Sequence, residues 1–277
     1  MDSISIDTEP GQKFTVLICV YAGDNACAFR RALASVYNNT LRPAAVVLVV
    51  DGPVGKATNN VISDYQEFDS FTVLRCDNNI GFPQALNCGL AAITTEWVVR
   101  ADPDDVNLPC RFSELAKHMV DGVDIVGSFV AEMNEQGEIY AVKKVPLQHG
   151  DILEYIRRRN PFNHMTVAYR GSLAALSGGY PNIPVREDYG LWATMLKHGA
   201  RCKNIDAVLV HASAGERLYV RRRGWGSVVA EYRLQKHLLH SGVTTLWMAL
   251  CYGALRAIIL SMPSPAVAMI YKVFLRK

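Results

Sequence analysis

The chain has 277 residues, half of them hydrophobic and a fifth charged, with a formal net charge of +3. That balance supports a large buried core, excludes a disordered chain, and gives no electrostatic ground for nucleic acid as a partner. Seven cysteines, never spaced Cys-x-x-Cys, speak against a disulfide framework or a zinc site and fit a reduced interior.

Residues 1–12 are polar and lack the basic and apolar regions of a secretory signal, so a cytoplasmic location is expected. Phe14 to Val20 is a continuous apolar, β-branched run, the pattern of a parallel strand buried on both faces. Tyr21 to Asn25 is a polar turn, and Phe29, Leu33 and Val36 recur at helical spacing over Ala26–Tyr37. A second strand spans Ala44–Val50, ending at Asp51-Gly52-Pro53. Lys56–Phe68 reads as a helix, Phe71–Cys76 as a third strand, and Gly81-Phe82-Pro83 opens another helix. Trp97–Ala101 is the fourth strand. Strand alternating with helix in this way implies an α/β, doubly wound, mostly parallel sheet, whose ligands sit at the carboxyl ends of the strands. Tyr21–Asp24, Asp51 and Asp102–Asp105 all fall at such ends and should converge.

The last of these is Arg100-Ala101-Asp102-Pro103-Asp104-Asp105, with three carboxylates in four residues. Two carboxylates about 5 Å apart repel by roughly 3 kcal/mol at an effective dielectric of 20. A hard divalent cation offsets that cost, and Mg²⁺ or Mn²⁺ typically combines one or two carboxylates with a substrate's phosphates. A diphosphate is therefore the expected partner of Asp102 and Asp104. No Gly-x-Gly-x-x-Gly, Walker A loop, nucleophile elbow or His-Glu-x-x-His is present.

These segments, in this order, resemble the family 2 glycosyltransferases, inverting enzymes of the GT-A fold, over residues 14–225. Phe14–Tyr21 looks like the family's first strand, which implies that Val20 and Tyr21 lie against the nucleotide base. Val49-Val50-Asp51-Gly52 is similar to the strand-two acid that holds the base, although many relatives carry two acids there. Taken by itself, Asp51 could equally be a helix cap. Asn79-Ile-Gly81 and Ala85-Leu-Asn87-Cys-Gly89 match the segment beside the nucleotide, although Asn79 and Gly81 also suit a capped turn. Arg100-Ala-Asp102-Pro-Asp104 matches the metal motif, with Arg100 and Asp102 on the nucleotide side and Asp102 and Asp104 on the cation.

Further on, Asp124–Met133 and Ile139–Val145 read as a strand pair, and Ile152–Arg159 as a short basic helix. Asn160–Tyr169 then enters a strand. By resemblance His164 lies near the diphosphate, where a lone histidine is otherwise most often a packing residue. Glu187 and Asp188 open a helix whose apolar face is Leu191, Trp192, Met195 and Leu196, and its dipole stabilises anions there. The resemblance makes Asp188 the catalytic base and Glu187 its neighbour orienting the acceptor. A short strand Ala207–Val210 leads to His211–Trp225, a basic stretch in which no single arginine stands out.

Residues 1–226 are thus expected to form the catalytic domain, with 14–120 binding the nucleotide-sugar and 121–226 the acceptor. Residues 227–277 form a helical, partly hydrophobic extension. Val228–Leu239 is amphipathic and basic; Val243–Leu260 is apolar except for threonines, Gly253 and Arg256; Ala266–Leu275 is apolar again. An 18-residue helix spans about 27 Å, short of a hydrocarbon core of about 30 Å, so interfacial attachment is expected over a span. Packing on the catalytic domain or in a homodimer is the rival explanation. The resemblance implies the expected function: transfer of a sugar from a nucleotide-diphospho-sugar, with UDP the expected nucleotide, to a lipid-linked or glycan acceptor in surface polysaccharide synthesis. A sugar nucleotidyltransferase would place a glycine-rich basic loop where this chain has Tyr21-Ala-Gly-Asp-Asn. A non-catalytic nucleotide-sugar-binding protein would not need the acids at 102, 104, 187 and 188.

Overall fold

The two leading apolar runs become β1 (Phe14–Tyr21) and β2 (Ala45–Asp51), parallel and in register, with Tyr21 opposite Asp51. Side-chain alternation divides the core into two layers. Val16, Ile18, Val20, Val46, Leu48 and Val50 pack against α1 (Ala26–Tyr37) and α2 (Lys56–Tyr65). Leu17, Cys19, Val47 and Val49 pack on the opposite face, against α3 (Phe82–Ala92). Asn25 caps α1, its Oδ1 accepting from the Cys27 and Ala28 amides at 2.9 and 3.0 Å, worth about 1 kcal/mol. Helix α3 lies directly on the sheet because of Gly89, where a Cβ would fall 2.4 Å from Leu17 Cδ1 and 2.8 Å from Val49 Cγ2.

The computed structural model describes residues 13–134, 136–213 and 225–261. Its remaining elements are β3 (Phe71–Arg75), β4 (Trp97–Arg100), β5 (Val106–Asn107), α4 (Arg111–Ala116), β6 (Ile125–Met133), β7 (Ile139–Lys143), α5 (His149–Tyr155), β8 (Ala168–Arg170), α6 (Gly171–Leu176), α7 (Glu187–Lys197), β9 (Cys202–Ser213), α8 (Trp225–His240) and α9 (Leu246–Ser261). The sheet order is β3-β2-β1-β4-β8-β6-β9-β5, with β7 on the free side of β6. β1 to β4 are mutually parallel; β8 runs antiparallel between β4 and β6, and marks the join between the two halves.

Three expected boundaries are corrected. The strand at Ala207–Val210 is really the 12-residue β9, because it pairs with β6 from Cys202 opposite Ile125 to Ser213 opposite Met133. Its polar residues Lys203, Asn204 and Asp206 hid it, since a ladder partner rather than hydrophobicity holds that part. The basic helix at Ile152–Arg159 is α5, which ends at Tyr155, before the three arginines. The segment Asn160–Tyr169 is mostly a turn with one 3₁₀ turn at His164–Thr166, and only β8 is a strand.

Helix α8 lies on α7: Leu234 and Leu238 enter the core, and His237 Nε2 sits 2.9 Å from Thr194 Oγ1 and 3.0 Å from the Gly190 carbonyl. Among the described residues no helix is long and apolar enough to cross a membrane. Arg217–Arg223 and Ala266–Leu275 lie outside the described residues.

Candidate active site

At the end of β2, Asp51 is buried and turned toward the start of α3. Its carboxylate accepts from the Ile80 amide at 2.7 Å and the Gly81 amide at 3.2 Å, while Asn79 Nδ2 donates to the Asp51 carbonyl at 3.3 Å. Gly52 has φ +83°, and a Cβ there would stand 2.6 Å from the Asn79 nitrogen, so the two segments touch only because this residue is glycine. Gly81, at φ +92°, opens α3 in the same spirit. The Val20 side chain is fully buried in the core beside α1, so it is a packing residue rather than a side-chain contact of the site. Tyr21 ends β1 in a tight turn, its amide donating to Asp24 Oδ2 at 2.9 Å.

Arg100, the last residue of β4, is the hub of the site and is wholly buried. Nη2 donates to Asp102 Oδ1 at 2.6 Å, Nε donates to His164 Nε2 at 3.2 Å, and Nη1 donates to the Leu17 carbonyl. A guanidinium can only donate, so His164 Nε2 carries the lone pair and the ring is neutral. Desolvation, then the Arg100 charge, holds its pKa well below the ordinary imidazole range. His164 Nε2 is also 3.1 Å from the Tyr180 hydroxyl, which lies 3.0 Å from that of Tyr169. Asn87 grips the other end of Tyr180, accepting from its amide at 2.7 Å and donating to its carbonyl at 2.9 Å. The Asn87 amide is therefore a tether between α3 and the Gly178-Gly179-Tyr180 loop, and His164 is a neutral support for Arg100.

Glu187 and Asp188 form the first turn of α7. Glu187 is buried, and burial first and the Asp188 charge second push its pKa up to about 8, with Asp102 adding to the rise and Arg100 opposing it. Asp188 is half-buried and accepts from Asn160 Nδ2 at 2.5 Å. Cys19, on β1, is pushed up to about 12 by burial, while Arg100, Asp51, Asp24 and Asp102 all act on it. Asp102 thus acts on groups at both ends of the site. Glu187 feels the charges of Asp102 and Arg100, and Tyr180 that of Asp188, so the start of α7 lies near the end of β4.

Asp102 is partly exposed and Asp104 exposed, so both can face a ligand. Among the described residues no three His, Cys, Asp or Glu side chains form a ready metal cluster. Two carboxylates suffice for a cation that also takes phosphate oxygens, so the residues fit Mg²⁺ or Mn²⁺ bound together with a diphosphate. Asp105, third of the triplet, turns inward: it accepts from the Ser213 amide at 2.9 Å, and its pKa is raised by burial and then by Asp102 and Asp104. It braces the turn against β9.

The sequence pattern of the family described as glycosyl transferase family 2 matches residues 15–175. The chain belongs to glycosyltransferase family 2. It is 31% identical over 261 residues to the amylovoran biosynthesis glycosyltransferase AmsE of Erwinia amylovora, covering 94% of this chain and 98% of that one. It is 32% identical over 268 residues to an Escherichia coli UDP-Gal:alpha-D-GlcNAc-diphosphoundecaprenol beta-1,3-galactosyltransferase, covering 96% and 97%. Among solved structures, the mannosyltransferase PcManGT of Pyrobaculum calidifontis, in complex with GDP-Man and Mn2+, superposes at a TM-score of 0.61 with 17% identity, covering 97% of this chain and 83% of that one. S. aureus TarS (residues 1–349) gives 0.62 with 17% identity, covering 82% and 66%. The fold is GT-A, and the chain is a glycosyltransferase.

Within this family 2 enzyme, hydrogen bonds join Arg100, Asp102 and His164, while Asp188 is held by Asn160 at the start of α7. Asp51, Asn79 and Gly81 form a separate buttress at the β2 end. Sequence reasoning passed over Tyr180, Asn160 and Tyr169, which hold His164 and Asp188. The adjacent glycines before Tyr180 were the available signal: Gly179 has φ +71°, and a Cβ there would meet Asn87 Oδ1 at 2.4 Å.

Proposed function

We propose that this enzyme is an inverting glycosyltransferase that moves a sugar from a UDP-sugar to a hydroxyl of a lipid-linked acceptor in bacterial surface polysaccharide synthesis. The observation that carries the reading is the Glu187–Asp188 pair at the start of α7, near enough to Arg100 and Asp102 for their charges to act on Glu187. Burial and the neighbouring Asp188 charge both raise the Glu187 pKa, so Glu187 is the poorer proton acceptor of the two and Asp188 is assigned as the base. Asn160 aims the Asp188 carboxylate. As the acceptor oxygen attacks the anomeric carbon, Asp188 takes its proton and the bond to the diphosphate breaks on the opposite face, so the centre inverts. Asp102 and Asp104 would hold a divalent cation, Mg²⁺ or Mn²⁺, whose chemistry there is to offset charge on the departing diphosphate. Arg100 fixes Asp102 from below, and Asp51 and Tyr21 border the space for the base. The UDP-sugar and the lipid-linked acceptor are supported by the name of the galactosyltransferase relative, the cation by the Mn2+ in the mannosyltransferase structure.

The exposed apolar side of α9 supports attachment to a membrane surface. Leu246, Trp247, Leu250, Leu255 and Ile258 are exposed and lie on one side of the helix. Exposed Arg157, Arg158, Arg233 and Lys236 stand near this helical pair and suit anionic headgroups. We assign the enzyme to the cytoplasmic side of the cell membrane, held peripherally.

The deciding experiment is nucleotide release from a panel of nucleotide-sugars with a diphospho-lipid acceptor, wild type against Asp188→Asn. Removing the base should lower kcat by about 10²–10⁴-fold while donor binding persists. Undiminished turnover in Asp188→Asn would remove the base assignment.

A further inference from the structure

Helices α8 and α9 carry a buried acid that the proposed chemistry does not use. Glu231, on α8, is 1% exposed and sits between two arginines. Arg186 Nε is 3.1 Å from its Oε2, and Arg256 Nη1, from α9, is 3.3 Å from the same oxygen and 3.4 Å from Oε1. Gln235 Nε2 donates to Oε1 at 2.8 Å. Arg256 accordingly stands in its apolar helix as the partner of a buried carboxylate.

Both arginines lead back to the catalytic pair. Arg186 is the residue before Glu187, and it occupies the N-cap position of α7 without capping the helix through its own side chain. Before it, Val185 has φ +66°, a conformation that a β-branched residue keeps only when its surroundings enforce it. The other arginine, Arg256, donates through Nη2 to the Arg158 carbonyl, two residues before the Asn160 that holds Asp188 at 2.5 Å. The Tyr189 hydroxyl donates to the Ile156 carbonyl in the same loop. One buried carboxylate therefore anchors both segments that aim Asp188.

We infer that Glu231 is a positioning residue for the transfer reaction: through Arg186 and Arg256 it fixes the strained turn before Glu187 and the loop bearing Asn160. The C-terminal helical pair is then part of the catalytic apparatus as well as an attachment surface. This inference rests on Asp188 being the base.

The test uses the full-length enzyme on vesicles, comparing wild type, Glu231→Gln, Arg186→Gln, Arg186→Lys and the double Glu231→Gln/Arg186→Gln. A small misplacement of the base costs up to about 100-fold in rate. We expect kcat to fall about 10- to 100-fold in Glu231→Gln and Arg186→Gln. The donor KM and thermal protection by UDP should stay within about twofold, because Asp51 ends β2 and Asp102 follows β4, elements to which Glu231, Arg186 and Arg256 do not belong. Arg186→Lys should recover part of the loss, and the double variant should be no slower than the slower single one. The inference fails if both single variants keep kcat within twofold of wild type. It also fails if kcat and UDP protection decline together, or if the two losses multiply. Should Glu231→Gln not fold, the two Arg186 variants alone decide by the split between kcat and KM and by the lysine rescue. Asp188→Asn runs alongside: if it stays active, the base assignment falls; if it is dead while Arg186→Gln and Glu231→Gln are not, only the positioning role falls.

Discussion

Replacing Glu187 by Gln tests the electrostatics of the Glu187–Asp188 pair most directly. The folded chain holds the Glu187 proton to about pH 8, against an ordinary value of 4.5, chiefly because the carboxyl is buried and secondly because Asp188 is beside it. Between those two pH values the unfolded chain releases a proton that the folded chain keeps. Stability therefore falls as pH rises, by up to about 1.4 kcal/mol per pH unit, and levels off above pH 8. Accumulated from pH 4.5 to 7, the loss is about 3 kcal/mol, a large part of a typical folding free energy. Gln has nearly the same shape and no proton to lose, so the variant should lack this slope and exceed wild type in stability at pH 7.5. Chemical denaturation at pH 5.5, 6.5 and 7.5 measures it: the gap between variant and wild type should widen with each step. Parallel pH profiles for the two proteins would refute the argument, because Glu187 would then be ionised at neutral pH and could serve as base itself. The same ionisation gives wild-type kcat an alkaline limb near pH 8, which Glu187→Gln should not have.

Gly179→Ala should destabilise by about 3 kcal/mol, combining a left-handed alanine with the loss of the paired Asn87–Tyr180 hydrogen bonds, as read by denaturant midpoint; a loss below about 1 kcal/mol would mean that the loop relaxes around the methyl group. In Asp104→Asn, UDP alone should still protect against thermal unfolding, while the extra protection from added Mn²⁺ should largely vanish; an unchanged Mn²⁺ effect would place the cation elsewhere. Trp247→Ser with Leu250→Ser removes two exposed apolar side chains worth about 1.5–3 kcal/mol each, so binding to anionic vesicles should weaken at least about tenfold in co-sedimentation. If vesicle binding is absent in wild type and the substitutions instead split a dimer in solution, the apolar side of α9 is a contact between copies.

Much of the N-terminal half was legible along the chain because its signals are local. Phe14–Tyr21 and Ala45–Asp51 are buried on both faces, so they had to be continuously apolar, and Ala26–Tyr37 carries its own spacing and its own Asn25 cap. The half after β5 was harder. β9 keeps polar residues in its first half because its ladder to β6, not a hydrophobic stripe, holds them, and β8 is only three residues long. The Arg256 that looked out of place in an apolar helix became intelligible only once Glu231 was found beside it.

The sequence alone determined the alternation of strand and helix, the acids at 102, 104, 187 and 188, and the family they resemble, since periodicity, turn residues and motif order are properties of neighbouring residues. Only the tertiary structure decided which polar side chains brace the site from within: Asp105 on the Ser213 amide, Asn87 on the Tyr180 backbone, His164 beside Arg100. Burial and long-range hydrogen bonds set those roles, and both depend on residues dozens of positions away that no local pattern encodes.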